Sequence, residues 1–382
     1  MDPAVLHPLT LLLSQLHGLT LSQLLYNSGD TVYIYKAQSS AFASAAVKIQ
    51  RVFTPSQRAA LLTEGAHLMR LKGHPNIMEF QAWLEYEAGP GLGSFIVIIA
   101  EMCDKDLMTD ICQRKAAERF LYPETQMWEY VEALVGVLAY LESEGIAHRD
   151  VKPQNVFLSG NTLKIGDFGS SALIGSGISS YTTAGTPLYL SPLLKEALIV
   201  GNPKVRHNVY KSDVYSLGMT LLAMATLEEP PGGFLGTAAV TAIETKITAL
   251  SYSDYFKSLL RLLLEAEESR RPTFQGLYYM LFPVPDNPVD EENQPEEGGY
   301  SQTPQISSRL EQGFPAEELS PDGEKGAEQL DFEREDRERN EAIQIDIQEE
   351  RVACMASERS AVYENEKSKP EKRATKSCCT MF

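Results

Sequence analysis

The sequence is short of several things, and each shortage closes a door. Cysteine occurs five times in 382 residues, at 103, 112, 354, 378 and 379. Those positions have neither the spacing of a metal-ligand set nor an even number for a disulfide framework, so a reducing compartment is expected. No apolar run reaches the ~18 residues of a membrane-spanning helix. The leucine-rich start, Leu9-Thr-Leu-Leu-Leu13, lacks a basic stretch and a small-residue cleavage site. It is expected to pack ahead of the first strand and not to act as a secretory signal. Basic residues are scarce too: 34 Lys and Arg stand against 52 Asp and Glu, a formal charge of −18. A phosphate backbone needs a basic footprint, so nucleic acid is not expected as a partner.

The acidity is uneven. Residues 283–382 hold 25 acidic and 12 basic residues, a net of −13, against −5 for the first 282. Pro, Glu, Gly, Gln and Ser dominate that final stretch and aromatics are few, a composition that cannot bury enough apolar surface to fold. The expected organisation is an N-terminal extension (1–19), one folded domain (20–282), an acidic disordered linker (283–366) and a basic tail (367–382). At 43% hydrophobic residues the chain has ample material for a core.

Against these absences stands one dense stretch. Ile146-Ala-His-Arg-Asp-Val-Lys-Pro-Gln-Asn-Val-Phe-Leu158 places Asp150, Lys152 and Asn155 within six positions, and Asp167 follows in Lys164-Ile-Gly-Asp-Phe-Gly169. The pattern H-R-D-x-K-x-x-N followed by D-F-G resembles the catalytic loop and magnesium loop of protein kinases. The resemblance implies an α+β, bilobal fold with a small β-rich N-lobe and a larger helical C-lobe. It also implies ATP and Mg2+ as cofactors. Phosphoryl transfer asks a protein mainly for positioning and charge neutralisation. By this likeness Asp150 receives the substrate hydroxyl proton and Lys152 neutralises charge on the moving phosphoryl group. Asn155 and Asp167 hold magnesium through hard oxygen ligands.

Other segments extend the likeness. Residues 20–50 alternate apolar runs around Asn27-Ser-Gly-Asp-Thr-Val-Tyr-Ile34, where kinases carry the glycine-rich phosphate loop. Gly29 matches its middle glycine, whereas Asn27 and Val32 replace the outer two, so the loop should wrap phosphates less closely. Ala45-Ala-Val-Lys-Ile49 resembles the strand that brings a lysine to the phosphates, with Ala46 against the nucleotide and Lys48 as the ligand. Glu64 is the match for its carboxylate partner, and Leu68, one helical turn on, is expected to pack towards Phe168. Glu101-Met-Cys-Asp-Lys-Asp106 resembles the inter-lobe hinge, which puts the backbone of Glu101 and Cys103 at the adenine and Asp106 at the ribose. Ala100, just before it, is small and predicts an enlarged pocket. The apolar spacing of Trp128, Val131, Val135, Leu138 and Leu141 predicts a helix ending at Gly145.

After Gly169 a polar stretch runs to Gly185-Thr-Pro-Leu-Tyr-Leu-Ser-Pro192 and resembles an activation segment. Ser180, Thr182 and Thr183 are its candidate phosphosites for an upstream activating kinase, with Arg149 as the base that would pair with the added charge. Lys152 with Thr186 points to serine/threonine protein substrates. The usual A-P-E reads Ser191-Pro-Leu193, which removes a carboxylate that would face Arg271. Asp213 matches the aspartate that supports the catalytic-loop backbone. The sequence closes with a basic cluster, Lys367 to Lys376, and Cys378-Cys-Thr-Met-Phe382. Cys379 sits fourth from the end, as prenylation requires, and Cys378 is a candidate for palmitoylation. The expectation is a membrane-associated kinase on the cytoplasmic face, reaching roughly 50–60 Å on its tether. Two alternatives remain open: a catalytically weak pseudokinase scaffold, and a small-molecule phosphotransferase.

Overall fold

The computed structural model describes residues 1–282 apart from 30, 40–43, 118–120, 175–177, 183, 203 and 231–235. The chain divides into two units, Met1–Gly323 and Glu324–Phe382, and every described residue belongs to the first. The expectations for 283–382, Cys378 and Cys379 included, and for Thr183 lie outside the described residues. So do the side chains of Ser180 and Thr182.

A helix opens the fold: α1 (Pro3–His17), capped by Asp2 accepting from Ala4 N at 2.8 Å and stopped by Gly18 at φ 61°. Val5, Leu9 and Leu13, four residues apart, form its buried stripe. It covers one face of a five-stranded antiparallel sheet of order β1-β2-β3-β5-β4. The strands are β1 (Leu19–Ser28), β2 (Val32–Ser39), β3 (Ala45–Val52), β4 (Phe80–Glu87) and β5 (Ser94–Glu101), with α2 (Pro55–Arg70) between β3 and β4. Residues 20–50 thus give a hairpin, β1 and β2, and then β3, the strand that carries Lys48. Strand alternation in β3 turns Ala45, Val47 and Ile49 to the α1 face, where they meet Val5, Leu9, Leu13, Tyr33, Phe95, Val97 and Ile99. Burying the three α1 side chains contributes roughly 5–8 kcal/mol before ordering costs. The alternate residues, Ala46 and Lys48, belong to the opposite face.

Beyond the sheet come β6 (Lys105–Asp106), α3 (Leu107–Ala116) and α4 (Glu124–Ser143). Next are the short strands β7 (Ile146–Ala147), β8 (Val156–Ser159), β9 (Thr162–Ile165) and β10 (Ala172–Leu173). The chain continues through β11 (Ile178–Thr182), α5 (Pro192–Ile199), β12 (Lys204–Asn208), α6 (Val209–Thr226), α7 (Gly236–Ala249), α8 (Asp254–Leu263) and α9 (Phe274–Leu281). The architecture is the expected α+β pair of lobes, a β-sheet lobe first and a helical lobe after it. α4 ends as its apolar spacing predicts, with Gly145 at φ 71°. α6 is buried on all sides from Ser212 to Ala225, so it is an axle of the helical lobe and not a surface helix. Among the described residues no helix is long and apolar enough to cross a membrane.

The polar stretch after Gly169 departs from a plain loop. Its residues Ile178–Thr182 form β11, which pairs antiparallel with β12. Ile, Tyr and Thr suit a pleated surface, and β12 offers the matching alternation, with Val205 and His207 buried and Arg206 exposed.

Candidate functional site

Three chain segments meet at Lys48. Its Nζ lies 3.1 Å from Glu64 Oε1 on α2 and 3.1 Å from Asp167 Oδ1. α2 is fixed by Thr54, which accepts from Gln57 N, and it buries Glu64 to 3% exposure. Asp167 takes φ 58°, a left-handed backbone that is uncommon for a residue with a side chain, immediately before the short turn Phe168–Ser170. Burial by itself would lower the Lys48 ammonium; Asp167 and Glu64 outweigh it and hold Lys48 above the ordinary lysine value. Lys48 in turn holds the Asp167 carboxyl down to about 2. The attraction between them is therefore complete at neutral pH and fades only as pH falls below the ordinary aspartate range towards that value. Burial pushes Glu64 up, with Lys48 opposing.

The catalytic-loop candidates form a second knot. Asp150 Oδ1 accepts from Thr186 N and Thr186 Oγ1, both at 2.9 Å, and Oδ2 accepts from Asn155 Nδ2 at 2.9 Å. Lys152 Nζ stands 3.0 Å from Asp150 Oδ2 and donates to Thr186 Oγ1 at 2.6 Å. Gly185 makes this approach possible: its φ is 105°, and a Cβ there would lie 2.5 Å from the Arg149 carbonyl. The loop backbone is hung from α6, where Asp213 accepts from His148 N at 2.9 Å and from Arg149 N at 3.0 Å. Beneath it the His148 and Phe168 rings lie 5.1 Å apart, and Phe168 shares one core with Leu68 and Phe80. Leu68 and Phe168 thus share the packing their spacing suggested, whereas nothing in the local sequence marked Phe80.

Sheet register explains the cleft. Lys48 is opposite Ile34 and Ile98, Ile34 is opposite Tyr26, and Ala46 is opposite Ala100. Directly opposed residues share a face, so one row of side chains, Tyr26, Ile34, Lys48, Ala46 and Ala100, roofs the cleft. Tyr26 is half exposed. Motif matching passed over it; the register, set by the hairpin at Gly29 (φ 55°), brings it into line. Asn27 faces Tyr33 at the mouth of that hairpin.

At the hinge the side chains have structural duties of their own. Glu101 N donates to Glu79 O, and Glu101 Oε1 accepts from Glu79 N and pairs with Lys164 at 2.7 Å. Its side chain is therefore occupied with holding β4 and β9. Cys103 is buried, and burial first, then Glu101, pushes its thiol up to about 12. It is a protonated packing residue, not a nucleophile. Asp106 caps α3, accepting from Thr109 N at 2.7 Å and Thr109 Oγ1 at 3.0 Å. Sequence matching alone could not foresee that structural duty.

The donor set fits a hard cation. Asn155 spends its amide nitrogen on Asp150 O and Oδ2, which leaves its side-chain oxygen for a metal. Asp167 is ionised and its side chain is 46% exposed. Among the described residues no group of three or more His, Cys, Asp or Glu gathers as a metal cage. Magnesium asks for less, one or two protein oxygens beside substrate phosphates.

A hinge beneath a β-sheet, a lysine bridged to two carboxylates and an Asp-Lys-Asn loop define a phosphotransferase site of the protein kinase type. The family model described as "Protein kinase domain" matches residues 28–282. The chain belongs to that family, and its likenesses are to eukaryotic serine/threonine protein kinases. It is 33% identical to mouse (Mus musculus) serine/threonine-protein kinase Nek4 over 227 residues, 58% of this chain and 26% of that protein. To mouse Nek3 it is 30% identical over 248 residues, 63% and 44% of the two chains. To human (Homo sapiens) Nek11 it is 34% identical over 216 residues, 54% and 31%. The chain spans less than half the length of these relatives.

Proposed function

We propose that this chain is an active serine/threonine protein kinase that transfers the γ-phosphoryl group of ATP to hydroxyls of protein substrates. The carrying observation is Lys48 Nζ, 3.1 Å from both Glu64 and Asp167, with Asp150, Lys152 and Asn155 already assembled. Magnesium, when bound, supplies neutralising charge across the phosphate oxygens. Asn155 and Asp167 would hold it. Lys48 positions the phosphates, and its link to Glu64 keeps it in line. Asp150 orients the substrate hydroxyl and takes its proton, and Lys152 lies beside that proton to balance the growing charge. The test is transfer from magnesium-ATP to a mixed peptide substrate, with Asp150→Asn alongside. Equal counts in both would sink the reading. That result would favour the scaffold alternative, for which Val32 and Asn27 in place of glycines are the specific observation.

Ala100 yields a measurement independent of turnover. It lies across from Ala46 and from Phe80, so two small residues leave space at the back of the cleft. An adenine analogue with a bulky N6 group should bind the wild type and lose roughly tenfold or more in affinity in Ala100→Phe, since overfilling packed space costs about 1–3 kcal/mol. Equal affinity would remove the enlarged pocket.

The tail extends the same reading. Cys379 as a prenylation site, Cys378 as a palmitoylation site and the Lys367–Lys376 cluster together supply the two signals that stable anchoring needs. They would place the kinase on the cytoplasmic face of a membrane. Cys379→Ser should move the protein into the soluble fraction on cell fractionation; unchanged membrane association counts against the anchor.

A further inference from the structure

Behind the Lys48 bridge lies a buried histidine to which the catalytic roles assign no duty. His67 follows Glu64 by three positions on α2, so the two side chains leave the same side of the helix, and both are buried. His67 Nδ1 lies 2.8 Å from Ser171 Oγ, which in turn lies 2.6 Å from the Phe168 carbonyl oxygen. That carbonyl also accepts from Ser171 N at 3.0 Å, closing the turn that follows Asp167. A carbonyl has no proton to give, so the single Ser171 hydroxyl proton goes to Phe168 O. His67 Nδ1 is then the donor to Ser171 Oγ. Nε2 is the bare nitrogen, buried without a hydrogen-bond partner among the described residues. Burial, and Arg70 after it, lower the pKa of the ring and favour the neutral form that this chain of bonds uses.

Asp167 gives this bond its importance. Its φ of 58° is a conformation that a residue with a side chain keeps only where its surroundings over-determine it. From one side Lys48 grips its carboxylate at 3.1 Å. From the other, the turn Phe168–Ser170 leads directly to Ser171, which His67 holds. α2 and the turn are therefore joined twice by polar contacts. Lys48 bridges Glu64 to Asp167, and His67 reaches the Phe168 carbonyl through Ser171. Leu68 and Phe168 share a core as well, but apolar packing is not directional and tolerates sliding. We propose that His67 and Ser171 are positioning residues, whose hydrogen bond fastens α2 to the turn after Asp167 and keeps Glu64, Lys48 and Asp167 aligned for phosphoryl transfer. Both are buried and act through Glu64 and Asp167, not on the substrate.

The alignment rests on the kinase reading for its purpose; the bond itself does not. The test uses the full-length chain with His67→Leu, Ser171→Ala, the two together, and His67→Asn. Leucine fills the buried space without a donor, whereas an asparagine amide presents an N–H close to where Nδ1–H stood. In magnesium-ATP transfer to a peptide, His67→Leu and Ser171→Ala should each lose roughly ten- to a hundredfold in kcat, the scale of a displaced catalytic geometry. The peptide KM should stay near the wild-type value, because no substrate contact is removed. The double variant should fall no further than the worse single, since each change breaks the same bond. His67→Asn should recover most of the loss. Turnover kept in both singles, losses that multiply in the double, or an Asn variant as slow as the Leu one overturns the assignment. Amide hydrogen exchange over 168–171 gives a readout without turnover. The disrupting variants should exchange about three- to tenfold faster there, the worth of one hydrogen bond, with His67→Asn close to wild type. Equal exchange in every chain overturns the assignment too. Failure of the kinase reading would show instead as peptide transfer equal in wild type and Asp150→Asn, with exchange still deciding whether the bond holds the turn.

Discussion

Asp150→Asn is expected to cut the turnover number for peptide phosphorylation by roughly 10²–10⁴-fold, the range for a positioned general base. ATP binding should change little. The substitution is nearly isosteric, so the argument lies in hydrogen bonding. Both carboxylate oxygens of Asp150 now accept: Oδ1 from Thr186 N and Oγ1, Oδ2 from Asn155 Nδ2 and the Lys152 ammonium. An asparagine amide turned either way sets an N–H against donors. It removes the proton acceptor and strips Lys152 of its counter-charge at once. Thermal unfolding of the variant separates this from misfolding: a midpoint within a few degrees of wild type with turnover lost is the expected pair of results. Turnover retained would exclude Asp150 as the base.

Leu193→Glu should instead change stability, adding about 2 kcal/mol by giving a buried charge its partner. Arg271 is 1% exposed, and Nη1 donates to Lys211 O at 2.8 Å, but Nε and Nη2 have no hydrogen-bond partner among the described residues. Burial lowers its pKa, with Glu268 opposing, yet a guanidinium keeps its charge in a protein. Glu268 spends Oε1 on Asn208 N, and its Oε2 is buried without a partner. The Tyr215 ring, 5.3 Å away, gives partial compensation. A buried charge short of partners is costly. Position 193, the first turn of α5, is where kinases place the carboxylate that meets this arginine. A glutamate there should raise the unfolding midpoint by about 4–8 °C in a domain of this size. In an Arg271→Leu background the same change should destabilise, since the carboxylate would then be the orphan. Equal shifts in both backgrounds would show that the two positions do not couple.

The sequence by itself determined the chemistry and the class of fold. Asp150, Lys152, Asn155 and Asp167 lie within eighteen positions, and their residue types at that spacing have few uses besides phosphoryl transfer. The strand alternation of β3 and β5 and the apolar stripe of α4 were legible because local periodicity reports which face is buried. Tertiary structure decided the rest, because those contacts join residues far apart in the chain. Lys48 and Asp167 are 119 positions apart, and Thr186 caps Asp150 from 36 positions away. No local pattern announces either bond. Asp106 as a helix cap and Cys103 as packing came from neighbours that a motif does not include. Tyr26 joined the cleft through strand register, and α1 found its sheet through the complementary apolar faces of both. The segment after Gly169, polar and loop-like in isolation, became a strand because β12 presented a free edge of matching alternation. Backbone hydrogen bonding to a distant partner, not local propensity, settled its form.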